Sequence, residues 1–213
     1  MKRVLCFGDS NTWGYISGTD HLRYNENERW TKLLQKKLGD QFEVIEEGLN
    51  SRTLFSDDNR PGKEGRNGFT YFKPCLDTHD KIDIIILMLG TNELKNSFDN
   101  SPQDIIDMLD KYVEFVQGYK SQIDGSSPAL IVSGIPPVRE ATDYCSKGNK
   151  YLGASAKCAE LNVLQKEHFM SKNVFYIDNT DLETGIDGVH ITKDSHEKLA
   201  IKLKNFVMEN FGN

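Results

Sequence analysis

The chain has 213 residues, 38% of them hydrophobic, and a formal net charge of −6. A chain of this length fits one domain, 1–213, that buries roughly 70% of its unfolded surface and needs no staple. Acidic and basic residues are interspersed without a basic stripe, which argues against a nucleic-acid partner; no window approaches about 18 apolar residues, which argues against a membrane span.

The start, Met1-Lys2-Arg3, leads into the apolar run Val4–Phe7. That run is too short for a secretion signal. Cys6, Cys75, Cys145 and Cys158 form no CxxC pair. Reduced thiols in a cytoplasmic protein are the expectation.

The first strand is predicted over Lys2–Phe7. Gly8-Asp9-Ser10 follows, residues that equally suit a turn, a helix cap or an exposed nucleophile. A helix is predicted over Glu28–Leu38, with Trp30, Leu34 and Leu38 on one face and Gly39 as its stop. The second strand is Phe42–Glu46. The stretch Ser56–Gly68 reads as a loop, and Phe69–His79 as a helix broken or delayed by Pro74. The third strand, Ile82–Leu89, is apolar almost throughout, as suits a parallel strand covered on both faces. Ser101 and Pro102 open a helix that carries Ile105, Leu109, Val113 and Val116 to Gly118. Strand Ala129–Ile135, a second long loop Pro136–Gly153, helix Tyr151–Met170, strand Asn173–Ile177 and helix Lys193–Phe211 complete the chain. Regular alternation of strand and helix predicts a parallel five-stranded sheet with helices on both faces, an α/β fold.

Ligands of such sheets bind beyond the carboxyl ends of the strands. The residues delivered there are Ser10, Gly48, Asn92 and the pair Asp187 and His190. These are the parts of acyl transfer. A serine hydroxyl needs a base, and imidazole titrates near neutral pH. A carboxylate three residues before the histidine can hold its tautomer. The backbone N–H groups of Ser10 and Gly48 and the amide of Asn92 can serve an oxyanion. Trp13, close behind Ser10, is expected to line the acyl pocket, with a buried packing aromatic as the equal alternative. Asp9 reads as a loop-bracing carboxylate, Asn50 and Thr91 as scaffolding, and Glu93 as a cap or a partner of Arg52. Trp30 reads as core and His196 as a surface residue. Asp178, Asp181, Asp187 and His190 fit no metal spacing, so neither metal nor cofactor is expected.

Four blocks in order, "FGDSNTWG", "EEGLNSRT", "LGTNE" and "DGVHIT", make the chain similar to the SGNH, or GDSL-type, hydrolase family. The resemblance spans almost the whole chain and is greater to the bacterial arylesterase and acyltransferase type. It implies a flavodoxin-like three-layer α/β/α fold and a triad of Ser10, His190 and Asp187. It also implies an oxyanion hole of Ser10, Gly48 and Asn92, a small-molecule ester substrate with a short acyl group, and chains that can assemble as a homo-oligomer. Asn11-Thr12 departs from the Leu-Thr of many members. A carbohydrate O-acetylesterase, a lysophospholipase or thioesterase, and a catalytically retired binding or scaffold protein are the alternatives.

Overall fold

The computed structural model describes residues 1–140, 147–172 and 174–212. Its centre is a five-stranded, wholly parallel sheet of order β2-β1-β3-β4-β5. The strands are β1 (Lys2–Gly8), β2 (Phe42–Gly48), β3 (Ile84–Met88), β4 (Ala129–Ser133) and β5 (Phe175–Ile177).

Side chains alternate across each strand, so the sheet has two buried faces. Leu5, Phe7, Ile85, Leu87 and Val132 point into one core. There they meet the helices α3 (Gly68–Thr78), α4 (Pro102–Gly118) and α6 (Ala154–Ser171). Val4, Cys6, Ile84, Ile86, Met88 and Ile131 point into the other. There they meet α2 (Trp30–Leu38) and α7 (Lys193–Phe211), through Trp30, Leu34, Leu199 and Leu203. Two short helices, α1 (Ser10–Trp13) and α5 (Lys147–Lys150), lie in the connections.

Several boundaries differ from the sequence expectation. Strands β3, β4 and β5 are shorter, because pairing ends where the chain turns into the loops at the sheet edge. Residue 173, expected to start β5, lies outside the described residues, as do 141–146 of the second loop. Helix α2 starts at Trp30, and α6 starts at Ala154 behind Gly153 in the left-handed region. Pro74 does not break α3. The helix begins at Gly68, where the Asn67 side chain accepts from Thr70 N–H, and Phe72, Cys75 and Leu76 hold it to the core across the proline. Packing outweighs the lost backbone bond.

Strand register aligns Gly8 with Gly48 at the ends of β1 and β2. Neither position has room for a side chain. A Cβ on Gly8 would lie 2.0 Å from Thr12 Oγ1, and one on Gly48 would lie 2.3 Å from the backbone nitrogen of Trp13. The missing Cβ atoms let α1 sit directly on the two strand ends. Glu93 ties the next turn to this place. It is fully buried, and its Oε1 accepts from Leu54 N–H at 2.5 Å.

Two outcomes follow from this packing. Gly48→Ala should lower the unfolding free energy by about 1–3 kcal/mol, because backbone must move to admit the methyl; urea denaturation checks it. Burial, with Asp9 adding to it, pushes the Glu93 carboxyl up to about 8 from an ordinary 4.5. The native state therefore holds a proton that the unfolded chain has released. Stability is greatest below about pH 4.5 for this group and is lost as pH rises through about 8. Lys95, lowered to about 8, acts with the opposite sign only above that pH. Unfolding free energies measured between pH 5 and pH 8 should fall in the wild type and stay flatter in Glu93→Gln.

Candidate active site

Asp9 caps α1. Its side chain accepts from Asn11 N–H at 2.9 Å, and its carbonyl accepts from Thr12 and Trp13. The cap leaves the Ser10 N–H, in the first helical turn, pointing out of the set of bonded amides. Burial raises the Asp9 carboxyl to about 6, against the bond from Asn11 and the charge of Lys95.

Ser10 is nearly buried, and His190 Nε2 lies 2.8 Å from its Oγ. On the other side of the ring, His190 Nδ1 lies 2.7 Å from Asp187 Oδ2. The second oxygen of Asp187 accepts from the backbone N–H groups of Val189 and His190, each at 3.0 Å. Burial by itself would raise this carboxyl. The bond and charge of His190 and the two backbone bonds outweigh burial and hold it well below the usual carboxylate range. Asp187 is thus an acceptor throughout the working pH range, which selects the tautomer with a proton on Nδ1.

Asn92 follows β3. Its amide nitrogen donates to Arg52 O at 2.9 Å and lies 3.4 Å from Asp9 Oδ2, while Tyr151 Oη lies 3.5 Å from its oxygen. One N–H is firmly held and the other only at a long distance. Arg52 is buried. It donates to the carbonyls of Gly8, at 3.0 Å, and Glu47, and its guanidinium lies over the Phe7 ring at 4.1 Å. It therefore joins the ends of β1 and β2 to the Asn92 turn. Glu93, expected to pair with Arg52, bonds instead to Leu54 N–H.

Two residues beyond the sequence candidates position the histidine. Asn11 Oδ1 accepts from Ile191 N–H at 2.9 Å, and its Nδ2 donates to Val189 O at 3.3 Å. The residue after Ser10 thus grips the chain on both sides of His190. Tyr15 stacks on the imidazole, with centroids 4.2 Å apart. The signal for Asn11 is a polar residue directly after Ser10, since a buried amide must find partners.

Trp13 is a correction. It is not among the residues lining the cavity at Ser10, and neither is Gly48, expected in the oxyanion hole; from that connection Ser51, with φ 67°, lines the cavity instead. Gly14, with φ 91°, ends α1 and turns the chain there. The Trp13 ring meets the Arg23 guanidinium at 5.1 Å, and Tyr15 takes the place beside His190. His196 is a second correction. It is fully buried, and its Nδ1 accepts from Trp30 N–H at 3.2 Å. Burial first, and then the charge of His190, lowers it to about 3, so it stays neutral.

The cavity measures about 370 Å³ and is lined by Ser10, Tyr15, Asn50, Asn92, Tyr151, Val189 and His190, with Arg60, Lys63, Lys95 and Lys150 among its walls. Among the described residues, one group has metal-ligand spacing, and it lies elsewhere. Glu47, Cys75 and His79 bring their ligand atoms within 4.8 Å of one another. His79 Nε2 already pairs with Glu47 at 2.9 Å, and burial with the Glu47 charge pushes the Cys75 thiol up to about 12.

Residues 4–203 match the model of the GDSL-like lipase/acylhydrolase family. The aryl esterase of M. smegmatis has 33% identity and a TM-score of 0.90, over 98% of this chain and 99% of that one. A carbohydrate acetylesterase from Sinorhizobium meliloti has 32% identity and a TM-score of 0.90, over 99% and 100%. A carbohydrate acetylesterase family member from the same organism has 30% identity and a TM-score of 0.92, over the full length of both chains. No curated protein sequence matches the chain. With a parallel five-stranded α/β fold and the family model running from the first strand into the last helix, the chain belongs to the GDSL-like lipase/acylhydrolase family of ester hydrolases.

Proposed function

We propose that the protein is a serine esterase for short-chain carboxylic esters. The observation that carries the reading is the continuous Ser10–His190–Asp187 hydrogen-bonded line opening into one cavity. Ser10 Oγ attacks the ester carbonyl while its proton passes to His190 Nε2. The carbonyl π pair moves onto oxygen, where the Ser10 N–H and the Asn92 N–H that Asp9 holds only at 3.4 Å act as donors. Collapse breaks the carbon–alkoxide bond, and the His190 proton goes to the leaving alcohol. Water then repeats the sequence on the acyl-enzyme, with His190 as base. An alcohol in place of that water gives acyl transfer.

The short acyl preference rests on the wall. Tyr15, Tyr151 and Val189 are its apolar members, and the rest is polar or charged. A long acyl chain gains about 0.8 kcal/mol per buried CH₂ only where apolar surface receives it. Acetyl to butyryl esters are therefore expected to exceed octanoyl esters in kcat/KM. The polar lining and the Sinorhizobium meliloti likeness favour a second reading, deacetylation of a carbohydrate.

Ser10→Ala should fold normally and lose activity on 4-nitrophenyl acetate by at least about 10⁴-fold. A sulfonyl fluoride should label the wild type once, at Ser10, as read by peptide mass spectrometry. Full activity in the variant, or labelling elsewhere, would refute the assignment. Asn92→Ala should lower kcat by about 10²–10³ with little change in KM, as one oxyanion donor is lost. Steady-state kinetics on the same ester distinguish this from a loss confined to KM, which would make Asn92 a ground-state contact.

A further inference from the structure

The chain as a whole carries a net charge of −6, yet the wall of the Ser10 cavity carries Arg60, Lys63, Lys95 and Lys150 against a single carboxylate, Asp20. These cations are not spread evenly. Lys95 stands in the Asn92 turn, its N–H donating to Asn92 O at 3.2 Å, and the Lys150 carbonyl accepts from the next residue, Asn96, at 3.0 Å. Lys63 feels the charges of Arg60 and Lys150, and Lys95 that of Arg60. The opposite end, around His190, is aromatic: Tyr15 stacks on the imidazole and His21 meets Tyr15 edge-on.

Arg60 is answered by Asp58, through Nε at 2.7 Å and a second bond from Nη2. The side-chain ammonium groups of Lys63, Lys95 and Lys150 have no hydrogen-bond or ion-pair partner among the described residues, and Lys95 Nζ has only the Phe98 ring, 5.9 Å to its centroid. Lys95 is the telling one, because only 6% of it is exposed. A buried ammonium without an acceptor is costly, and an anion brought into the cavity would relieve that cost. Asp58, Glu93 and Asp9 act on Lys95 through charge, but none of them bonds to it, and Asp58 is engaged by Arg60.

The two ends have different duties in ester cleavage. The leaving oxygen must reach His190 Nε2 for its proton, so the alcohol occupies the aromatic end. With the alcohol there and the carbonyl oxygen at the Asn92 N–H, the wall left for the acyl substituent is the one that carries Lys95, Lys63 and Lys150. We propose that Lys95, with Lys63 and Lys150, forms an anion-binding subsite for a carboxylate at the far end of the acyl group, so that the preferred substrates are monoesters of short dicarboxylic acids. This rests on the esterase reading above and narrows its substrate class.

Matched benzyl esters test it. Monobenzyl succinate and benzyl butyrate differ by carboxylate against methyl at the acyl terminus; the benzyl ester of butyric acid bearing a carboxylate on its ring moves the charge to the alcohol. Release of the alcohol is followed by chromatography. The succinate monoester should exceed benzyl butyrate in kcat/KM by about tenfold or more, and the ring-carboxylate ester should not. That ratio should fall towards one in Lys95→Gln, and as salt rises from about 50 mM to about 500 mM. Should Lys95→Gln fail to fold, Lys63→Gln and Lys150→Gln, at more accessible positions, should each lower the ratio. Succinate should also compete with substrate more strongly than butyrate does. A wild-type ratio of one or less, a ratio indifferent to all three substitutions, or a preference for the ring carboxylate overturns the subsite. Benzyl butyrate alone reports on the esterase reading: its turnover with no succinate preference rejects the subsite and leaves that reading, whereas no turnover of any ester rejects both.

Discussion

The site depends on one side chain that performs no chemistry. Asn11 sits in the first turn of α1 beside Ser10 and bonds to the backbone on either side of His190. Ser10 and His190 are 180 residues apart in sequence. Their 2.8 Å approach is set by this amide, because strand register alone positions the chain to within a residue and not to within half an ångström. The Asn11 carbonyl also accepts from Trp30 Nε1 at 3.1 Å. The Trp30 N–H in turn donates to His196 on α7. A single turn is thereby braced against two helices of one face of the sheet, and the histidine loop is braced against that turn.

The other braces approach from the opposite side. Arg52 and Glu93 are buried, yet both spend their bonds on backbone groups: Gly8 and Glu47 carbonyls for the first, the Leu54 N–H for the second. Buried charged groups used in this way fix loops that would otherwise hold only by turn geometry. The result is a sheet edge where three connections, after β1, β2 and β3, are cross-linked by side chains whose own positions are set by the core. Preorganisation of this kind matters for an oxyanion site, since donors that must be collected during the reaction cost more than donors already in place.

Much of this was legible in the sequence, and the reasons are physical. Apolar runs such as Ile84–Met88 can be satisfied only between two layers, so they announce a doubly covered parallel strand. The order of strands and helices then puts Ser10, Gly48, Asn92, Asp187 and His190 at one edge, whatever the loop details. Pro74 misled, because a proline rule is local and the burial of Phe72, Cys75 and Leu76 is not. Trp13 misled for a similar reason: one glycine with positive φ decides whether the aromatic before it or after it faces the imidazole. His196 looked like a surface residue on an amphipathic helix, but the Trp30 backbone that it serves comes from 166 residues away. Lys95 could not be picked from the other lysines, since its distinction is burial without a partner.

The division between strand ends and connections has a consequence for how such a protein can change. The groups nearest the reacting atoms hang from β1, β3 and the turn after β5, where register, core packing and buried bonds restrict every neighbour. Arg60 and Lys63 belong to an irregular stretch between β2 and α3, and Lys150 to a short helix between β4 and α6. Substitution there alters the electrostatic character of the wall while leaving the sheet untouched. Descendants of one ancestral sequence can thus diversify in what they accept while inheriting the same reaction. The variation that separates their diets should be concentrated in those two connections and nearly silent in the strands.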